Sequence, residues 1–362
     1  IRDRSPSRGL GDVYKRQHIC CTSEDINNIA YSLMIKEGRD LLIYQANILQ
    51  RTMKSMGKKY KNIAMLSHTH GQPASPTTMG KEFINFYRRL DAQIDDLSNI
   101  EIKGKFNGAT GNYSAHSVTY PKVNWPNTMR KFVNSLKLEF NSHTTQIEPH
   151  DYIADLCHKI NHINSILIGF SQDIWAYISK NYFTQKNIKG EIGSSTMPHK
   201  INPINFENAE GNLGMSNAIS NYFSSKLVIS RLQRDLSDST VLRNIGLVYA
   251  YSIVAYKNIS LGLSKLDINK QKINDDLDDC WEILAEPIQM VARKYHISNS
   301  YEYLKKYTRG KKVDKGVIEK IITNLHIPEN EKSRLLELTP RKYIGYANTV
   351  SYTHLRAHET DS

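Results

Sequence analysis

Between positions 153 and 177 the chain places an apolar residue at every third or fourth position: Ile153, Leu156, Ile160, Ile163, Leu167, Phe170, Ile174 and Tyr177. On an α-helix that rhythm draws one stripe, a coiled-coil-like seam suited to packing in a bundle. A second long helix is expected over about 240–263, with Leu242, Ile245, Tyr249, Tyr256, Ile259 and Leu263 on one face. Its other faces are also apolar through Val248, Ile253 and Val254, so it should be buried among several helices. Phe206, Leu213, Ile219, Phe223 and Leu227 mark another helix. Thr22-Ser23-Glu24-Asp25 reads as a helix start, a hydroxyl cap followed by acids at the positive end of the helix dipole. Ile26, Ile29, Ala30, Leu33 and Met34 are the apolar face expected to follow.

Strands are hard to find. The glycine-rich stretch 103–116 reads as a loop with Gly104, Gly108 and Gly111 as turn points. Beyond about Asp267 the periodic segments become shorter and more charged, with breaks at Pro287, Gly310, Pro328 and Pro340. The expected architecture is all-α: a long-helix bundle over 18–265 and a smaller helical C-terminal domain over 266–350. Apolar helix faces that one chain cannot cover point to an oligomer. Residues 1–17 and 351–362 carry no periodicity and resemble translated sequencing-adapter sequence. They are set apart as non-native segments, with the natural protein expected to start near His18 and to break off near Val350.

The formal charge of +12 raises nucleic-acid binding. The basic residues are scattered, however, and lack the interleaved aromatics of a base-stacking platform. No apolar run approaches the roughly 20 residues needed to cross a bilayer, and the stretch 246–256 is too short. No apolar h-region follows the charged first residues. Cys20, Cys21, Cys157 and Cys280 fit neither a zinc spacing nor a disulfide framework, so reduced thiols in a cytoplasmic protein are expected.

The segment 193–202 reads Gly-Ser-Ser-Thr-Met-Pro-His-Lys-Ile-Asn. Pro198 removes a backbone donor, and the small residues before it do not favour helix. A mobile loop of this kind presents hydroxyls and Lys200, and could close over an anion; Lys200 and Asn202 could hold a carboxylate. An ordinary linker would share the serines, but not the whole string.

That string resembles the GSSxMPxKxN signature of the fumarase/aspartase superfamily, whose members eliminate fumarate from succinyl compounds. Its continuation, Pro203-Ile204-Asn205-Phe206-Glu207-Asn208, is similar to the adenylosuccinate lyase family, bacterial subgroup. So are Thr22–Asn28, Thr69-His70-Gly71-Gln72-Pro73, Thr144–Tyr152, Gln233-Arg234-Asp235 and Asp238–Asn244. The resemblance implies a carbon–nitrogen lyase that cleaves adenylosuccinate to AMP and fumarate, and SAICAR to AICAR, in purine nucleotide biosynthesis. It implies a homotetramer, no cofactor, no metal, no nucleic acid and no membrane partner. The matching positions assign Ser194 as base and His70 as acid. Thr22 and Ser23 are implied as fumaroyl-carboxylate ligands at a helix N-terminus, and Gln146, Lys200, Asn202 and Asn208 as substrate contacts. Arg234, Ser239 and Arg243 are implied as the phosphate-end cluster, gathered around a helix start.

Some residues stay open. Ser195 is the adjacent alternative to Ser194, with a positioning hydroxyl the expected role. On an extended segment His68 and His70 would point the same way, yet no third ligand stands at a metal-like spacing. His158 and His162 lie four apart and are expected on a solvated helix face. The family carries an N-terminal helical domain with nucleotide contacts ahead of the Thr22 block. On that basis the sequence is expected to be an N-terminally truncated product, inactive or weakly active by itself. Two other readings remain in view: another fumarate-releasing lyase such as argininosuccinate lyase, and a non-catalytic helical structural protein.

Overall fold

The computed structural model describes residues 18–186, 197, 199–310 and 312–349. The two end segments, 1–17 and 351–362, and the candidate residues Ser194 and Ser195 lie outside them. Among the described residues the long helices are α1 (Ser23–Tyr60), α2 (Met79–Ser98), α5 (Asp151–Ser179), α6 (Ile204–Lys226) and α8 (Ile245–Ser264). Short helices α3 (Ser114–Thr119), α4 (Trp125–Ser135) and α7 (Ser237–Leu242) lie among them. The C-terminal part holds α9 (Lys270–Asp278), α10 (Ala285–Lys294), α11 (Ser300–Thr308), α12 (Lys315–Thr323) and α13 (Glu329–Leu336). Among the described residues no helix is long and apolar enough to cross a membrane.

The fold is mostly helical, as expected, but it includes short strands. β1 (Ala64–Thr69) and β2 (Gln72–Thr78) form an antiparallel hairpin with a bulge between Met65 and Ser67. Pro73 and Pro76 disguise it in the sequence, because proline is rare in strands away from edges and bulges. β3 (Lys103–Gly104) pairs in parallel with β4 (Glu139–Phe140), and β5 (Phe183–Gln185) antiparallel with β6 (Leu266–Ile268). Gly104 is therefore not a turn point. It is a close approach: a Cβ there would lie 2.6 Å from the Ile29 side chain.

By their contacts the described residues fall into two compact units. The first comprises described residues up to 48 with 90–171 and 205–259; the second comprises 49–89, 172–204 and 260 onward.

In the first unit, the seam residues of α5 from Ile153 to Phe170 are buried. One buried polar layer joins α5, α6 and α8. Asn164 donates to the Ser216 and Ser252 hydroxyls at 3.1 and 2.9 Å, and accepts from the Tyr256 hydroxyl at 2.9 Å. Ser216 and Ser252 lie 2.9 Å apart. A closed network of this kind fixes helix register, since a slip would strand buried polar groups. The α6 stripe follows Phe206, Ala209, Leu213, Ser216, Ser220 and Phe223, so buried Ser220 takes the place expected of the half-buried Ile219. The helix expected over 240–263 is interrupted at Arg243-Asn244, and Val254 is exposed rather than buried.

The face of α1 differs from expectation. Ile26 and Met34 are 52% and 54% exposed, while Asp25, Asn28, Ser32 and Ile35 are buried. The buried stripe is partly polar because those side chains bond a neighbouring loop. Asn28 accepts from the Lys105 N–H at 2.8 Å and donates to the Lys105 carbonyl at 3.0 Å. Ser32 donates to the Lys103 carbonyl at 2.6 Å.

In the second unit, Tyr60, Phe83 and Phe183 form an aromatic cluster with centroids 6.1–6.2 Å apart. Tyr177, the last residue of the seam, stacks on Tyr182 and meets Phe183 edge-on. The C-terminal breaks are resolved individually. Gly310 (φ +68) follows α11, Pro328 caps α13, and Pro340 opens a short 3₁₀ turn. Pro287 breaks nothing, because it sits in the first turn of α10, where a missing N–H costs no helical bond.

Candidate active site

The start of α1 is built around Asp25. Its carboxylate accepts from the Thr22 N–H at 2.9 Å, a reciprocal cap that fixes where the helix begins. It also accepts from the Asn107 and Gly108 N–H groups at 3.1 and 3.2 Å. The Lys105 ammonium lies 2.8 Å away, with both side chains fully buried. Lys105 donates besides to the Gly108 carbonyl at 3.1 Å. Gly108 (φ +85) and Gly111 (φ +81) supply the turns that aim this loop at the helix end. Half-buried Thr22 and exposed Ser23 thus sit at a helix N-terminus, where backbone N–H groups and the helix dipole favour an anion.

Glu24, the next residue, is the link to the other candidates. Its carboxylate pairs with the Arg234 guanidinium at 2.9 Å. Arg234 also donates to the Gln146 side-chain oxygen at 3.2 Å, and the Gln146 N–H reaches the Gln233 carbonyl at 3.3 Å. Three distant stretches of chain therefore meet at one arginine. The guanidinium is held from two sides, by the Glu24 carboxylate and by the Gln146 side-chain oxygen.

Ser239 lies inside α7, and Arg243 is the C-cap residue of that helix, exposed. Of the three residues expected to gather around a helix start, Arg234 thus precedes α7, Ser239 lies within it and Arg243 closes it. Asp235 positions α7 by accepting from the Ser237 N–H at 2.7 Å. Beside Ser239, the buried Asp238 lies 3.5 Å from the His150 ring, and His150 lies 3.7 Å from Glu148. Burial pushes the Asp238 carboxyl up, but His150, the Ser239 N–H and Arg234 outweigh it and hold it below its ordinary value.

The second unit carries His70, Lys200 and Asn202. His70 and Gly71 form the two-residue turn between β1 and β2, with φ of +53 and +74. Both angles suit the primed turn that a twisted hairpin favours. His70 is exposed at its tip, while His68 lies on the strand half-buried; burial lowers the His68 pKa. The two rings therefore do not share one extended segment. Exposed Lys200 donates its backbone N–H to the Met197 carbonyl at 3.0 Å, and Asn202 is half-buried. Asn208, in the first unit, is exposed on the opening turn of α6. His158 and His162 both lie on the exposed side of α5. Among the described residues no three histidine, cysteine or acidic side chains gather as for a metal ion.

Residues 230–344 match the family described as adenylosuccinate lyase C-terminal, and residues 10–217 match the family described as lyase. The chain is 55% identical over 347 residues to the adenylosuccinate lyase of Buchnera aphidicola subsp. Schizaphis graminum, covering 96% of this chain and 76% of that one. The chain belongs to the adenylosuccinate lyase family. It is likewise 52% identical over 335 residues to the Escherichia coli K12 adenylosuccinate lyase, covering 92% of this chain and 73% of that one. In fold it is similar to the 3-carboxy-cis,cis-muconate lactonizing enzyme from Pseudomonas putida, at TM-score 0.80 and 18% identity over 97% of this chain and 80% of that one. It is also similar to the fumarate lyase from Mesorhizobium sp. BNC1, at TM-score 0.78 and 16% identity over 94% and 78%. At such identity these two share the architecture alone.

The adenylosuccinate lyase pattern pointed to Gln146, Arg234 and the Thr22-Ser23 start; in the structure Arg234 contacts Gln146 on one side and Glu24, the residue after Ser23, on the other. The pattern gave no role to Glu24, Asp25, Lys105, His150 or Asp238. Glu24 and Asp25 were accounted for as first-turn acids. Lys105 lay in a stretch read as plain loop.

Proposed function

We propose that the chain catalyses β-elimination of fumarate from adenylosuccinate, giving AMP, and from SAICAR, giving AICAR, without a metal or cofactor. The observation that carries this reading is the Arg234 centre, where the anion-favouring start of α1, Gln146 and a preorganised guanidinium meet in a chain of this family. The reaction removes a proton from a carbon beside a carboxylate and expels the purine nitrogen. The difficulty is the charge that spreads into that carboxylate as the proton leaves. Ser194 serves as base and His70 as acid. Thr22, Ser23, Lys200, Asn202 and Asn208 hold the succinyl carboxylates, while Arg234, Ser239 and Arg243 bind the phosphate end with Gln146 beside them. The four unpaired thiols favour a reducing, cytoplasmic setting.

The absorbance change on adenylosuccinate cleavage tests the assignment, and turnover of argininosuccinate instead would favour the other lyase. Within it, Arg234→Ala should raise KM roughly 10- to 150-fold, the worth of about 1.5–3 kcal/mol for hydrogen bonds to a charged group. A change in kcat with KM unmoved would detach Arg234 from substrate binding.

The reading includes a homotetramer. Leu247, Val254 and Leu261 are exposed at seven-residue intervals on α8, as are Met215 and Tyr222 on α6, while Ile26, Met34 and Leu41 are exposed at intervals of eight and seven on α1. Helix stripes of this kind are suited to burial against further copies of the chain. Sedimentation should give a tetramer; a monomer at micromolar concentration would reject it.

A further inference from the structure

The guanidinium of Arg234 is held by Glu24 and Gln146, but the backbone that carries it is held by the residue that follows. We propose that Asp235 is a positioning residue: its carboxylate closes the turn from Arg231 to Ser237 and so fixes where Arg234 stands for the phosphate end of the substrate. The proposal rests on the functional reading above.

Both carboxylate oxygens are engaged, one on each side of Arg234. Oδ1 accepts from the Ser237 N–H at 2.7 Å and from the Ser237 hydroxyl. Oδ2 accepts from the Arg231 N–H at 3.2 Å. The Asp235 N–H in turn donates to the Ser230 hydroxyl at 3.3 Å. Ser237 is itself pinned from α6. The ammonium of Lys226, the last residue of that helix, donates to the Ser237 hydroxyl at 2.8 Å and to the Ile229 carbonyl at 3.3 Å. A chain of bonds therefore runs from the end of α6 through Ser237 to Asp235. The Ser237 hydroxyl and N–H, more than any other partner, hold the Asp235 carboxyl below its ordinary value, so it is charged at neutral pH.

The turn is one that needs closing. Leu232 stands at φ +51, a left-handed conformation in which a bulky residue is an outlier. Its side chain is 90% exposed, so burial contributes little to keeping it there. Such a conformation persists where surrounding bonds over-determine it. Charge-assisted bonds from one carboxylate to the chain before and after Arg234 supply that constraint. The consequence lies in binding. An arginine fork grips a phosphate well when it is presented in register, and a fork already fixed at its tip and at its backbone has little freedom left to lose when the ligand arrives. Without the Asp235 carboxylate the turn opens, the guanidinium keeps Glu24 and Gln146, and the main chain beneath it shifts.

The test is a double-substitution cycle in the full chain. AMP affinity by calorimetry, KM and kcat for adenylosuccinate, and the thermal midpoint are the readouts. Asp235→Ala should weaken AMP binding and raise KM on the order of 10-fold, and leave kcat within about threefold. In an Arg234→Ala background the same substitution should change AMP affinity and KM by less than about twofold, because the side chain it positions is gone. Asp235→Asn keeps one carbonyl oxygen, and so one side of the turn, and should fall between. Lys226→Met removes the pin on Ser237 and should give a smaller loss of the same kind, which again vanishes without Arg234; it serves as the readout if Asp235→Ala does not fold. Equal losses with and without Arg234 overturn the proposal, as does a parallel fall in kcat, AMP affinity and thermal midpoint. Adenylosuccinate turnover with AMP affinity and KM insensitive to Asp235 removes the positioning role alone. Absent turnover, with AMP binding that depends on Asp235 only when Arg234 is present, removes the lyase reading and keeps the positioning role. Absence of both turnover and AMP binding removes both.

Discussion

Replacing Ser194 with alanine should lower kcat for adenylosuccinate cleavage by roughly 10²- to 10⁴-fold, the usual worth of a positioned base, and change AMP affinity little. The separation follows from what each part of the site does. A base acts only as the proton leaves, so its loss falls on the transition state. In the proposed reading Arg234 grips a phosphate that is present before and after the chemistry, so its loss should fall on binding. His70→Gln should behave as Ser194→Ala does, since leaving-group protonation is also confined to the reaction step. Ser195→Ala is the internal comparison. Steady-state absorbance assays with AMP calorimetry decide among them. If Ser195→Ala loses the activity and Ser194→Ala stays within about tenfold of the unsubstituted protein, the base is the neighbouring hydroxyl.

The sequence was most legible where a single physical rule governed a long stretch. The α5 seam follows apolar periodicity, and every position named from 153 to 174 is buried. It was least legible where burial serves hydrogen bonding instead. On α1, Asn28 and Ser32 face inward because a loop 77 and 71 positions away offers them backbone partners, and no local pattern announces that. The β1–β2 hairpin was hidden by its prolines, although the His70-Gly71 pair occupies the turn. The site shows the same division. A run of matching residues pointed to Arg234 and Gln146, but their contact with each other and the pairing of Arg234 with Glu24 emerge only when chain segments 88 or more positions apart are folded together. Arg234, Ser239 and Arg243 fall before, within and at the C-cap of the short α7, an order along the chain that their spacing alone did not specify.

The same local-versus-distant contrast gives the largest stability effect expected in the molecule, at Asp25. Asp25→Ala leaves the Lys105 ammonium fully buried with the Gly108 carbonyl as its one named hydrogen-bond acceptor. Breaking a buried ion pair from one side costs about 3–5 kcal/mol, a large share of the 5–15 kcal/mol that typically holds a domain together. The reverse substitution should be milder. In Lys105→Met, Asp25 keeps the N–H groups of Thr22, Asn107 and Gly108, so its charge remains solvated by the backbone. A loss of about 1–3 kcal/mol is expected there. Urea unfolding followed by circular dichroism measures both, and equal losses, or a milder Asp25→Ala, would show that the pair is not organised around the carboxylate. The pH dependence has a defined sign. Burial lowers the Lys105 pKa below its ordinary 10.5, with the attraction of Asp25 only partly offsetting it. Below 10.5 the unfolded chain therefore binds more protons at this lysine than the folded one does, and the lysine's contribution to stability rises with pH through that window. Lys105→Met should remove that rise. Asp25→Ala should also displace the start of α1, and with it Glu24 and the guanidinium it holds, so the variant should lose AMP affinity even where it remains folded.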